Sequence, residues 1–180
     1  MSMMTVRRFF LTSCRLGRIA LGAWTAIFGF AAGLAVAQEL PTEKVLTQSL
    51  AVEAAHAALA SCERLGYRVS AAVVDRDGVI IALLRGDGAG PHTIDSSSRK
   101  AYTAASMGRP TAELAKLVAG NPALDGLRQM NEKILILGGG LPVKAGENLI
   151  GGIGVGGAPG ADKDEACAAA GLFKIKESLK

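Results

Sequence analysis

The chain has 180 residues, 49% of them hydrophobic and 20% charged, with 20 Lys plus Arg against 16 Asp plus Glu. The whole basic excess lies in Arg7, Arg8, Arg15 and Arg18, since residues 1–37 hold no acid and no lysine, and the rest of the chain balances 16 basic against 16 acidic side chains. The sequence pI near 9.1 therefore reports the leader and not a basic folded surface, which argues against nucleic acid as a partner.

Residues 1–18 carry the four arginines, residues 19–34 form an uncharged apolar run with Trp24, Phe28 and Phe30, and Ala35-Val36-Ala37 supplies a small-x-small site. That order is expected of a secretory signal peptide cut after Ala37, leaving Gln38 first and the protein periplasmic or secreted. The competing reading is an uncleaved anchor, because the run falls only a little short of the ~20 residues that span a bilayer. Cys14 precedes the run, where a lipid-bearing cysteine would follow it. Beyond the leader stand Cys62 and Cys167, in no CxxC, zinc-type or CxxCH spacing. An oxidising compartment permits a bond between them, although the residues favour two buried thiols packed as small hydrophobes on helices. Residues 38–180 have a typical single-domain length.

From Thr42 to Leu65 apolar residues recur at three and four, with Thr42 to cap the start and Gly66 to end it, so an amphipathic helix is expected. Residues 69–75 (VSAAVVD) and 79–85 (VIIALLR) form a β-hairpin about Asp77-Gly78. A glycine-rich loop, residues 86–91, leads to a second helix capped by Thr93 and closed by Gly108; Pro110 and Thr111 begin a third, shorter one. Residues 123–133 read as a short helix or an irregular crossing. Strands are then expected at 134–137, 141–144 and 149–155, and a final helix at 161–176, with Asp162, Asp164 and Glu165 in its first turn. Hairpin-joined strands with helices between them predict an α+β fold, an antiparallel five-stranded sheet with flanking helices of profilin-like or PAS-like kind.

Gly152 to Gly157 (GIGVGG) satisfies GxGxxG, yet no second parallel strand follows, so the glycines are read as permitting close approach of a helix or a second subunit. His92, Asp95 and Ser96 to Ser98 sit on one local turn without a GxSxG elbow, so capping is favoured over a hydrolase triad. Of the two histidines, His56 is expected to be partly buried on the first helix and His92 to stand in the glycine-rich loop, open to a ligand. Around it lie Arg85, Asp87, Lys100, Tyr102 and Thr103, a set in which cations suit carboxylates and His, Tyr or Thr suits iron.

The runs VSAAVVDRDGVIIALLRGDGA, IDSSSRKAYTAASMGRPTAEL, GGGLPV and IGGIGVGGAPGADKDEACAAAGL, in that order, resemble the GlcG/HbpS family of haem-binding or haem-degrading domains. The resemblance implies a homo-oligomeric protein binding haem b non-covalently, and it places the family's haem-associated lysine and threonine on Lys100 and Thr103. His92 and Thr103 are the candidate iron donors; His92 comes from its chemistry and not from the family pattern. If the terminal helices share a face of the sheet, as the family fold implies, Cys62 and Cys167 could meet. The functional expectation is an exported haem sensor accessory, carrier or scavenger. The alternatives are an organic-acid binder or enzyme of the glycolate-utilisation type, and an oligomeric partner of a membrane sensor. Binding is favoured over catalysis, and no catalytic residue is assigned.

Overall fold

The computed structural model describes residues 39–180; the expected signal peptide, its cleavage site and Cys14 lie outside them. Four helices and four strands follow one another: α1 (Gln48–Glu63), β1 (Ser70–Asp75), β2 (Ile80–Arg85), α2 (His92–Met107), α3 (Thr111–Gly120), β3 (Gly140–Ala145), β4 (Asn148–Gly156) and α4 (Ala161–Ile175). A 3-10 segment at Pro122–Gln129 follows α3, and another at Lys176–Leu179 ends the chain. Among the described residues no helix is long and apolar enough to cross a membrane.

The first helix starts later than its apolar spacing predicts. Thr47, not Thr42, is the cap, its hydroxyl accepting from the Leu50 N–H at 3.5 Å. Leu46, just before the cap, is buried in the same cluster as Ala51, a staple that turns the incoming chain into the helix. His56 lies on the exposed face of α1 rather than partly in the core. The second helix ends as expected, at Gly108 with φ 63°. Thr93, however, sits inside the helix, its hydroxyl donating to the Gly90 carbonyl at 2.6 Å.

The strands form one antiparallel sheet ordered β2-β1-β4-β3. This corrects the expected five strands to four. Residues 134–137 do not enter the sheet, because side chains satisfy their backbone instead. Arg99 donates to the Ile134 carbonyl at 2.7 Å, the Leu135 N–H donates to the Thr103 hydroxyl at 2.8 Å, and Arg128 donates to the Ile136 carbonyl at 3.3 Å. Ile134 and Ile136 turn inward against Leu114 and Val118 of α3. The pattern of alternating apolar residues was real, but it serves a small core under α3.

The two faces of the sheet are built differently. On one, Ala71, Val73, Ile153 and Val155 pack against α1 and α4 in the main core. There the disulfide Cys62–Cys167 joins the two helices across a sequence separation of 105, with Cα atoms 5.6 Å apart; the residues alone had favoured free thiols. On the other, Ala72 and Val74 meet Ala101 and Ala105 of α2. Registry across β1 and β4 sets Ala72 opposite Gly154 and Val74 opposite Gly152.

Gly140, Gly152, Gly154 and Gly156 make this second face nearly flat. A Cβ on any of them would come closer than 3.0 Å to α2: to the Lys100 carbonyl, the Ala101 carbonyl, the Ser97 carbonyl and the Ser96 hydroxyl in turn. GxGxxG here is a bed for a helix of the same chain. The small residues Ala101, Ala104 and Ala105 are buried in that contact, so they are not an external face for a second subunit. Replacing Gly154 by Ala should therefore destabilise the fold by about 1–3 kcal/mol or more through overpacking. The control Gly126→Ala, where a Cβ meets nothing within 4 Å, should stay within roughly 0.5 kcal/mol. Urea unfolding of both variants checks the contrast.

Candidate functional site

The six residues singled out from the sequence fall into three places. Arg85, Asp87 and His92 share the loop between β2 and α2. Arg85 Nε donates to the Ala89 carbonyl at 2.8 Å, and Nη2 reaches the same oxygen, which closes the loop. Asp87 is exposed. His92 is the first residue of α2, exposed, with its imidazole lying over Gly90, where a Cβ would come within 2.6 Å of the ring.

Lys100 and Thr103 are on the buried face of α2, 1% and 0% exposed. Lys100 Nζ donates to Asp164 Oδ2 at 2.6 Å and to the Val155 carbonyl at 3.0 Å, while Asp164 Oδ1 accepts from the Ala158 N–H at 3.0 Å. The pair thus ties α2, the end of β4 and the first turn of α4 together. Burial pushes the Asp164 carboxyl above the ordinary aspartate range, against the pull of the Lys100 ammonium and the Ala158 and Gly157 N–H groups. Thr103 is equally engaged: its hydroxyl donates to the Arg99 carbonyl at 2.7 Å and accepts from Leu135 N–H at 2.8 Å. Both side chains hold the protein's own parts in place.

Tyr102 is in a third place, a groove of about 470 Å³ at the other end of β2. One wall is apolar, made by exposed Val79 and Ile80 at the start of β2 beside the buried Val74 of β1. The opposite wall is α2, with Asp95, Ser98, Arg99 and Tyr102. The Tyr102 ring packs over the hairpin turn at Gly78, where a Cβ would collide with it. Its hydroxyl accepts from Asn131 Nδ2 at 3.3 Å, and Lys133 Nζ stands 5.4 Å from the ring centroid, a cation–π distance. Arg99 holds the Ile134 carbonyl through Nη2 and exposed Asp95 only loosely, at 3.4 Å through Nη1. Exposed apolar side chains, a phenol and two cations against the one carboxylate of Asp95 suit an organic ligand with an apolar body and carboxylate groups.

Sequence reasoning missed the parts played by four residues. Lys133 lay in the segment whose structure was left open, Val79 and Ile80 were counted as ordinary strand residues, and Asp164 was read only as a helix-dipole partner. The exposure of Val79 and Ile80, 60% and 49%, is the signal they carried, since a β-rich pair beside a turn need not face the core. Among the described residues no three His, Cys, Asp or Glu side chains gather as a bare metal ion would require.

A protein-family model described as "Haem degrading protein HbpS-like" matches residues 46–173. The chain belongs to the HbpS-like family. A crystal structure of HbpS is similar at a TM-score of 0.70 and 47% identity, covering 75% of this chain and 93% of that one. A crystal structure of a PduOC:heme complex is similar at a TM-score of 0.69 and 27% identity, covering 73% and 96%. A protein of Citrobacter freundii, described as an uncharacterized 15.0 kDa protein in the dhaT-dhaS intergenic region, is 35% identical over 113 residues, 62% of this chain and 80% of its own length. The HbpS-like match runs from the lead-in of α1 into α4, and so includes the glycine bed, the Lys100–Asp164 pair and the groove.

Lys100→Met should cost about 3–5 kcal/mol, because it leaves a buried carboxyl without its counter-charge. The double variant Lys100→Met, Asp164→Leu should recover part of that loss, as apolar replacements of whole buried pairs do. A double-mutant cycle by denaturant unfolding measures both.

Proposed function

We propose that this chain is an exported protein that binds haem b non-covalently, as a sensor accessory, carrier or scavenger. The observation that carries the reading is the family match over residues 46–173, joined to a haem-bound relative of the same fold. The groove beside Tyr102 fits the group. Its volume of about 470 Å³ lies within the roughly 300–1,000 Å³ of small-molecule sites. Exposed Val79 and Ile80 offer an apolar surface to a ring, Arg99 and Lys133 offer cations to carboxylates, and the Tyr102 oxygen offers a donor to iron. Haem, when bound, supplies a redox-active iron whose behaviour its donor and surroundings tune. The chain's residues orient the ring, balance its carboxylates and keep water from one of its faces.

Haemin added to the protein beginning at Gln38 should give a shifted Soret band that saturates with micromolar affinity or better, about −8 kcal/mol. Non-saturating spectral change would mean adsorption on apolar surface, and an unshifted band would end the haem reading. Export rests on the order of basic segment, apolar run and Ala-x-Ala site. The intact mass of the protein from its native compartment should begin at or near Gln38, and a Met1 terminus found in membranes would establish an anchor. Homo-oligomerisation belongs to the same reading, while an oligomeric partner of a membrane sensor is its alternative. Exposed Leu117, Leu137 and Phe173 are apolar surface that assembly would cover. Light scattering of the purified chain that returned a monomer would remove the oligomer.

A further inference from the structure

Six residues could have served a haem, and their positions separate those that are free to bind from those that are not. Thr103 is 0% exposed with its hydroxyl both donating and accepting inside the chain. Lys100 is buried against Asp164. His92 and Tyr102 lie ten residues apart on α2, about 15 Å along the helix axis at 1.5 Å per residue, so one iron cannot take both. His92 stands exposed at the first turn, whereas Tyr102 lines a groove with exposed Val79 and Ile80 and with two cations, Arg99 and Lys133, against the one carboxylate of Asp95.

We infer that Tyr102 is the iron donor of this chain, with Lys133 and Arg99 as the carboxylate partners of the same ligand. The inference rests on the haem reading above and deepens it. Among the described residues the phenol oxygen has only Asn131 as a side-chain partner, an amide on an exposed residue, which can leave without breaking the core. Lys133 Nζ lies 5.4 Å from the Tyr102 ring centroid, so its charge stands in the same groove, open to a ligand carboxylate. Arg99 keeps its hold on the Ile134 carbonyl through Nη2, while its 3.4 Å contact with exposed Asp95 is weak enough to exchange for a ligand carboxylate. Val79 and Ile80 are exposed at the mouth of the groove, and a ring laid there covers apolar surface that the chain alone leaves in water. Tyrosine is an established type of haem donor elsewhere, so the chemistry asks for nothing unusual.

The test uses haemin with the chain beginning at Gln38, and compares wild type with Tyr102→Phe, Tyr102→His, Thr103→Val and His92→Ala. Wild type should show the phenolate-to-iron charge-transfer absorption and an iron–phenolate stretch in resonance Raman spectra. Tyr102→Phe should lose both and bind haemin at least about tenfold more weakly, with unchanged thermal unfolding. Tyr102→His should restore binding with an imidazole-type spectrum, which a merely structural tyrosine would not produce. Thr103→Val and His92→Ala should keep the wild-type spectrum. If Tyr102→Phe leaves spectrum and affinity unchanged, the inference is overturned while haem binding stands. If wild type itself binds no haemin, the haem reading falls and this inference with it.

Discussion

Close contact between α2 and the glycine face of β4 is the constraint on which the rest of the molecule depends. Gly152, Gly154 and Gly156 let the helix backbone lie against the strand, with Gly140 of β3 extending the bed. Because α2 is seated so deeply, its inward side chains reach through to partners that a more distant helix could not touch. Lys100 spans to Asp164 at the start of α4, and Thr103 reaches Leu135 in the segment before β3. The same seating fixes which residues remain outward. Ser98, Arg99 and Tyr102 are left along the edge that faces the β1–β2 hairpin, and the groove is the space between.

The molecule therefore divides its polar residues between two tasks. Those pointing inward from α2 are spent on holding layers together, and the buried ion pair is costly to break because neither charge has water to fall back on. Those along the groove keep part of their polar capacity open: the Tyr102 hydroxyl is met by the amide of exposed Asn131, and Arg99, though Nη2 holds the Ile134 carbonyl at 2.7 Å, makes only a long Nη1 contact with Asp95. Binding surfaces are commonly of this second kind, since a side chain already satisfied inside the fold has little to offer a ligand. Sequence neighbours on one helix, Lys100 and Tyr102, thus serve opposite ends: one is part of the frame and the other is available.

Much of the fold was legible from residue pattern. Asp77-Gly78 and Gly146 mark the two hairpin turns, Gly108 ends α2, and the acids and lysines of α4 fall at the ends that the helix dipole favours. Residues 134–137 were misread as a strand because alternation of Ile134 and Ile136 reports burial of one side, and cannot say whether the backbone finds a strand or the side chains of Arg99, Thr103 and Arg128. The site was less legible. A lysine in a KAYTA run looks equally fit for a ligand carboxylate and for an internal aspartate, and the partner that decides it, Asp164, lies 64 positions later. Tyr102 could be named from chemistry, but the groove it lines could not, because that groove is formed by residues from β1, β2, α2 and the segment containing Lys133. The family resemblance anticipated the α+β architecture and the haem-protein kinship, since both rest on ordered motifs spread over most of the folded chain.

The pairing of β1 with β4 has a kinetic meaning as well. Ser70 meets Gly156 and Asp75 meets Gly151, so the two central strands are joined only after most of the domain's length has been gathered between them. Local hairpins can form early, but neither buries a core, and the glycine bed exists only once β4 lies beside β1. Topologies dominated by such distant contacts fold slowly, because the entropy of closing the long loop is spent before any packing compensates for it. A chain wired in this way should close its central sheet more slowly than a helical bundle of equal size.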